Sequence, residues 1–145
     1  MKSFKKKVAV ITGAGSGIGR YLAILLAKDG ADVCVCDINK KTLDETVNML
    51  RKYNVSVSSH ILDVSNKESI EELPKKVIEH HGKVDMVFNN AGVNNGSHFK
   101  DMREDSWDWV MSINFEGVVN STRAFIPHMI NNSEAAIVNI SSIFG

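Results

Sequence analysis

Short apolar runs alternate with longer amphipathic segments along almost the whole chain, and this alternation constrains the fold more than any other feature. The first run, Val8 to Ile11, is continuously apolar, as expected of a strand that is covered on both faces. Leucines at helical spacing follow it as far as Gly30, and the pattern then repeats. Such repeats predict parallel strands joined by right-handed crossovers. We therefore predict an α/β fold, a three-layer sandwich whose ligand site lies at the carboxyl ends of the strands.

Two pairs of residues predict where helices begin. Thr42 with Glu45 and Ser65 with Glu68 have the spacing of a capping box, in which the first side chain accepts from a backbone N–H of the first turn. We therefore expect one crossover helix to be capped by Thr42 and another by Ser65. The four later strands are predicted in the segments DVCVCD, VSVSSHILDV, KVDMVFNNAG and AAIVNIS.

Two helices carry further expectations. A long helix is predicted from Trp107 to about Met129, with Asp105 or Ser106 as its cap. In an earlier helix, Pro74 lies about two turns after the start, where it removes a backbone hydrogen bond and crowds the preceding turn. We expect that helix to be kinked or divided at the proline.

The segment TGAGSGIGR joins the first strand to the first helix. Its residues Thr12, Gly13, Gly17 and Gly19 give the pattern T-G-x-x-x-G-x-G. Glycines allow the backbone to turn tightly and to approach a pyrophosphate, whose charge then faces the amides at a helix start. A P-loop is excluded because no Gly-Lys-Ser/Thr follows. A turn that binds no ligand is the alternative, but the flanking strand and helix favour a nucleotide site.

Asp37 closes the second predicted strand, about twenty residues past the glycines. A carboxylate there can accept both adenosine ribose hydroxyls and would repel a 2′-phosphate. The glycine turn contains no lysine or arginine before Arg20, which already lies in the helix. These features favour NAD over NADP, although an aspartate that only caps a turn would look the same in isolation.

Composition excludes several classes of function. The 17 basic and 17 acidic residues balance, so no electrostatic argument supports binding to nucleic acid or to an anionic membrane. The 145 residues predict one domain, 1–145, and no apolar stretch has the length of a membrane span or a signal peptide core. Cys34 and Cys36 are expected to be small buried thiols, which favours the reducing cytoplasm. The five histidines show no spacing that predicts a metal site.

Six motifs follow one another in order along the chain: TGAGSGIG, CDIN, LDV, NNAG, WDWVMSINFEGVVNSTRAFIPHM and IVNISSIFG. With these motifs, the sequence resembles the short-chain dehydrogenase/reductase family, with its Rossmann-type nicotinamide-binding domain. The resemblance extends from Lys7 to Gly145, and it implies a parallel sheet of order 3-2-1-4-5 without the family's later strands and helices.

The resemblance also implies which residues bind the cofactor. Asp63 would accept a hydrogen bond from the adenine amino group, and Asn90, rather than Asn89, would begin the family's N-A-G segment. The residues assigned to the cofactor in this way are Gly13, Ser16, Gly17, Ile18, Gly19, Asp37, Asp63, Val64, Asn90, Ala91 and Gly92.

Two catalytic positions are implied as well. Asn114 lies in the pattern W-x-x-V-x-x-x-N-x-x-G and is similar to the family's catalytic asparagine, which shapes the helix and holds a water of the proton relay. An ordinary surface or capping asparagine is the alternative. The pattern S-x-x-G aligns Ser142 with the family's catalytic serine, with Ser141 as the second choice, and its hydroxyl would bond the substrate oxygen.

The family's Tyr-x-x-x-Lys motif is absent from these 145 residues, since neither Tyr21 nor Tyr53 has a lysine four positions on. The resemblance implies an NAD-dependent oxidoreductase that acts on a small alcohol or carbonyl substrate. The tyrosine serves as general acid and base, and its loss should lower the reaction rate by a factor of about 10² to 10⁴. We therefore expect the chain itself to be nearly inactive. The alternative is a non-catalytic NAD-binding or assembly module.

The fifth strand, residues 136–141, would form an apolar edge of the sheet with unpaired backbone groups. We therefore expect a homo-oligomer, formed through this edge or through the long helix 107–129.

Overall fold

Residues 3–142 are described in the computed structural model of the chain, and their five strands form one parallel sheet. The strand order is β3-β2-β1-β4-β5, and every neighbouring pair is parallel. This result confirms the predicted fold class and strand order. The strands are β1 (Val8–Thr12), β2 (Asp32–Asp37), β3 (Val57–Ile61), β4 (Met86–Asn89) and β5 (Ala136–Asn139).

Helices cover both faces of this sheet. Side chains of two helices pack with Ala9 and Ile11 of β1 in one apolar cluster, and side chains of two others pack with Val8 and Val10 in a second cluster. Because successive strand residues point to opposite faces, this arrangement explains why β1 is apolar at consecutive positions. The first two helices are α1 (Gly17–Lys28) and α2 (Lys40–Leu50), and the other two are α3 (Lys67–His81) and α5 (Gly117–Met129).

The capping box predicted for α2 was wrong. Asn39 is the cap, and its side-chain oxygen accepts from the backbone N–H of Thr42 at 3.2 Å. Thr42 already lies in the first turn, and its hydroxyl bonds back to the Asn39 carbonyl. Asparagine is as good a cap as serine or threonine, so it can start the helix three residues earlier.

The start predicted for α3 was wrong for a similar reason. Asn66 caps this helix by accepting from the backbone N–H of Ser69 at 3.0 Å. Ser65 cannot serve as the cap, because its hydroxyl and its N–H both bond the carboxylate of Asp63.

Pro74 does not divide α3, which continues as one helix to His81. The ring is buried together with Ile70, Leu73 and Val77, which form the face of the helix that packs into the core. Only one backbone hydrogen bond is lost to the proline. Burial of this apolar face keeps the helix whole despite that loss.

The long helix predicted over 107–129 differs in two ways. It begins earlier, as α4 (Glu104–Met111) after the cap residue Arg103, so neither Asp105 nor Ser106 caps it. Asp105 instead lies in the first turn, where a carboxylate is favourable, and it accepts a bond from Arg103 Nε at 3.0 Å. A π-turn, Ser112–Glu116, then separates α4 from α5.

Cys34 and Cys36 are fully buried free thiols on the face of β2 towards α3, as predicted. Their sulfur atoms lie 3.8 Å apart. The hydrogen bond with Cys34, together with burial, raises the pKa of the Cys36 thiol well above its ordinary value.

Within residues 3–142, no helix combines the length and the apolar character needed to cross a bilayer. In the same residues, no cluster of three or more His, Cys, Asp or Glu side chains is placed to hold a metal ion.

Candidate functional site

A cavity of about 410 Å³ opens at the carboxyl ends of the strands. The glycine turn after β1 forms one wall, through Gly13, Ser16, Gly17 and Ile18. Gly13 and Gly17 have φ angles of 64° and 51°, in the left-handed region that glycine adopts without strain. A Cβ atom on Gly13 would lie 2.8 Å from Ala91 Cα, so the turn and the segment after β4 can approach only because no side chain separates them.

Gly19 does not line the cavity. It is buried in the first turn of α1, where an added Cβ would collide with the Gly13 carbonyl. Its contribution is therefore to let the helix pack directly beneath the turn. The helix start at Gly17 leaves the first amides of α1 without partners inside the helix.

Asp37 reaches the cavity from the end of β2. Its Oδ2 accepts from the Gly15 N–H at 2.8 Å, and its Oδ1 accepts from the Asn39 N–H at 2.9 Å. Each carboxylate oxygen can accept more than one hydrogen bond, so both remain able to accept from a ligand. The sequence placed Asp37 near the glycines, and the structure joins them by a direct bond.

The segment after β3 forms the next part of the wall. Asp63 and Val64 both line the cavity. Asp63 Oδ1 is occupied by the N–H and the hydroxyl of Ser65, at 2.9 and 2.6 Å. Among the described residues that line the cavity, none is a lysine or an arginine, so its charged side chains are the two carboxylates.

Asn90, Ala91 and Gly92 close the cavity on the side of β4. The Asn90 side chain donates to the carbonyls of Thr12 and Gly13, at 3.0 and 3.2 Å. The Thr12 hydroxyl accepts from the N–H groups of Asn90 and Ala91, at 3.0 and 3.1 Å. These reciprocal bonds fix the ends of β1 and β4 to each other.

Asn89 points elsewhere, because its side chain donates to Asn139 at 2.8 Å and is buried beneath the site. Of the two neighbouring asparagines, Asn90 is therefore the one that lines the cavity.

Asn114 lies in the π-turn, and its side chain forms two bonds with one residue. Its Oδ1 accepts from the Val93 N–H at 2.8 Å, and its Nδ2 donates to the Val93 carbonyl at 2.9 Å. The structure thus brings Asn114 to the segment that borders the cavity, although its own side chain does not line it.

Ser142 lies just after β5 and is exposed, outside the lining of the cavity. Gly145, the last residue of the S-x-x-G pattern, lies outside the described residues.

Four apolar residues of the wall were missed by the sequence reasoning. Ile38 and Leu62 follow directly after β2 and β3, so their position at strand ends could have identified them. Val93 and Ile113 are brought in by the loop after β4 and by the π-turn, for which the sequence offers no signal.

The geometry fits a dinucleotide. The turn offers a close backbone approach and unpaired helix amides, which suit a diphosphate, and a carboxylate lies beside it, which suits a ribose diol. Apolar side chains at the wall, such as Ile38 and Val64, suit a planar base.

Known proteins match almost the whole chain. Residues 7–145 match the family model described as short chain dehydrogenase. The 3-oxoacyl-[acyl-carrier-protein] reductase of Thermotoga maritima is 38% identical over 139 residues, which are 96% of this chain and 56% of that protein.

Solved structures agree with this match. A short chain dehydrogenase/reductase from Burkholderia phymatum, in complex with NAD, is 40% identical with a TM-score of 0.93, covering 99% of this chain and 51% of that one. An NAD⁺-bound xylitol dehydrogenase is 32% identical with a TM-score of 0.94, covering 99% and 56%. The chain thus spans about half the length of the relatives it matches.

Proposed function

Because this chain belongs to the short-chain dehydrogenase family, we propose that it forms the NAD-binding part of an oxidoreductase that acts on an alcohol or carbonyl substrate. The observation that carries the proposal is the cavity in which the glycine turn and the Asp37 carboxylate meet. When bound, the nicotinamide ring would accept or supply a hydride. The residues of the chain would bind and orient it.

Each part of the wall has a role in this proposal. The first amides of α1 and the turn at Gly13 to Gly17 would face the diphosphate, where the helix dipole favours negative charge. Asp37 would accept the adenosine ribose hydroxyls, and Asp63 would accept from the adenine amino group. Asn90, Ala91 and Gly92 would border the nicotinamide side of the cofactor.

We propose NAD rather than NADP as the cofactor. The Asp37 carboxylate would repel a 2′-phosphate, and the described wall offers no lysine or arginine to neutralise it. NAD and NADP differ only in the 2′-phosphate, so the preference between them can be tested separately from dinucleotide binding itself.

For the reaction, we propose that Ser142 bonds the substrate oxygen and that Asn114 holds the π-turn and the Val93 backbone in place. The Tyr-x-x-x-Lys motif is absent from the 145 residues, so the chain by itself would turn over substrate negligibly. The second candidate is a non-catalytic NAD-binding or assembly module.

We further propose that the chain resides in the cytoplasm, where the buried thiols Cys34 and Cys36 would stay reduced. Self-association through strand 136–141 or through the helical segment 107–129 also remains a proposal.

Calorimetric titration of the chain with NAD and with NADP tests the cofactor assignment. We expect NAD to bind at least about tenfold more tightly than NADP. The isosteric change Asp37→Asn removes the charge but keeps an acceptor for the turn, and it should reduce that preference by about tenfold. Asp29→Asn makes the same charge change at the opposite end of α1 and should leave the ratio unchanged. A chain that binds neither dinucleotide would overturn the proposal.

A further inference from the structure

The glycine turn has two halves with different surroundings. Its first half, Ala14 and Gly15, has a partner for every backbone polar group. The Ala14 N–H donates to the Cys36 carbonyl at 2.9 Å, and the Gly15 N–H donates to Asp37 at 2.8 Å. The second half, from Ser16 to Ile18, faces the cavity.

The carbonyls of the first half are held by two side chains that lie outside the cavity. The Thr46 hydroxyl, fully buried on α2, donates to the Ala14 carbonyl at 2.9 Å. Arg20 Nη2 donates to the Gly15 carbonyl. Arg20 Nε also donates to the Thr46 hydroxyl at 2.9 Å, so the two side chains form one network.

Arg20 is anchored to α2 by further contacts. Its Nη2 reaches the Thr42 carbonyl and the Glu45 carboxylate, both at 3.0 Å. The turn packs so closely on α2 that a Cβ atom on Gly15 would lie 2.6 Å from Thr42 Oγ1. The guanidinium therefore faces α2, its charge is paired with Glu45, and it does not line the cavity.

These bonds fix the orientation of two peptide planes. In a trans peptide the C=O and the following N–H point in opposite directions. Holding the Gly15 carbonyl towards Arg20 therefore turns the Ser16 N–H away from α2, and holding the Ala14 carbonyl towards Thr46 turns the Gly15 N–H towards Asp37. Without the bonds from Arg20 and Thr46, either peptide could flip and turn its carbonyl oxygen towards the cavity, where it would repel an anion.

We propose that Arg20 and Thr46 are positioning residues for the diphosphate group, acting through the peptides of Ala14 and Gly15 rather than by touching the cofactor. The proposal rests on the proposed NAD-binding function. It differs from a general structural role because only the affinity for ligands that carry a diphosphate should depend on these two side chains.

The test compares two ligands, ADP-ribose, which carries the diphosphate, and adenosine, which does not. Arg20→Met keeps the aliphatic stem but removes every donor, and Thr46→Val keeps the shape but removes the hydroxyl. For both variants we expect ADP-ribose and NAD to bind about tenfold more weakly. Adenosine binding should change less than twofold, because the Asn39 N–H still holds the Asp37 carboxylate in place. Binding is measured by calorimetry for NAD and ADP-ribose and by ligand-observed NMR for adenosine, with thermal melts as a check of folding.

Glu45→Gln is the matched control. It removes the ion pair of Arg20 but leaves both carbonyl contacts of the turn, so affinities for both ligands should stay within twofold of wild type. Equal weakening of ADP-ribose and adenosine, or unchanged binding of ADP-ribose in either network variant, would overturn the positioning role while leaving NAD binding intact. If Arg20→Met does not fold, Thr46→Val decides on the same terms. A wild-type chain that binds neither NAD nor ADP-ribose would overturn both proposals.

Discussion

At the end of α3, His81 shows how one partly buried side chain can make the whole chain sensitive to pH. Its Nε2 lies 2.8 Å from the Ser58 hydroxyl, and its buried Nδ1 has no hydrogen-bond partner among the described residues. Burial, with the neighbouring His80 and His60, lowers the pKa of His81 from 6.5 to about 4, against the opposing charge of Asp32.

A lowered pKa means that the unfolded chain binds this proton more readily than the folded one. The stabilisation is therefore complete above about pH 6.5, and it is lost progressively as the pH falls towards 4. Because His81 is only partly buried, solvent screening limits the effect to roughly 1 kcal/mol. We expect His81→Gln to flatten the dependence of the unfolding free energy on pH between about 7 and 4, as measured by urea denaturation.

His128→Gln, which removes an exposed histidine in the last turn of α5, is the control and should keep the wild-type slope over the same range. If His81→Gln were to unfold with the same pH dependence as wild type, the assignment of this transition to His81 would be wrong.

Single residues also show where sequence reasoning works. Asp37 could be predicted because a carboxylate at a strand end beside glycines has one recurring use. Thr12, Arg20 and Thr46 could not be assigned their roles, because each acts by bonding a backbone group that lies outside its own strand or helix. Such partners are set by tertiary packing, which residue type and spacing do not reveal.

At the scale of elements, the π-turn between α4 and α5 is the feature that the sequence did not predict. Hydrophobic spacing predicted one continuous helix, and one wider turn leaves that spacing nearly unchanged on either side. The wider turn carries Asn114, whose side chain bonds both backbone groups of Val93. The interruption of the helix is therefore tied to the loop that borders the cavity.

Asn114→Ala tests this link. It removes both bonds to Val93, and we expect a loss of about 1 kcal/mol in the free energy of unfolding. Hydrogen exchange at the Val93 amide should also become faster, while amides of β1 keep their protection.

The matched control is Asn131→Ala, which truncates an exposed asparagine beyond the end of α5 and should change neither quantity. Unchanged exchange at Val93 in Asn114→Ala would contradict the proposed hold on this loop.

The starts of α2 and α3 show another feature that sequence patterns do not predict. The order and type of the five strands were predictable because each alternation of pattern spans many residues. The caps were not, because Asn39 and Asn66 compete with nearby serine and threonine residues for the same role. A local competition of this kind is decided by geometry at a single residue.

For the whole molecule, the open edge of the sheet is the feature with the largest consequence. Within the described residues β5 pairs only with β4, so its other side offers unpaired backbone donors and acceptors. Apolar side chains flank this edge on the sheet and on α5, with Val138 at 37% and Ile126 at 42% exposure. Exposed apolar edges of this kind pair readily with another chain.

We therefore expect the 145-residue chain to self-associate at micromolar concentration by pairing of β5 with a second copy, as measured by sedimentation velocity. Val138→Lys places a charge on the edge and should shift the chain to monomer, because burying an unpaired lysine opposes strand pairing. Met49→Lys makes a comparable change on α2, outside both β5 and the helical segment, where the side chain is 42% exposed, and should leave association unchanged. Ile126→Lys separates the two routes, since monomer formation by this variant alone would assign the contact to the helical segment instead of the edge. A wild-type chain that sediments as a monomer at micromolar concentration would contradict self-association by either route.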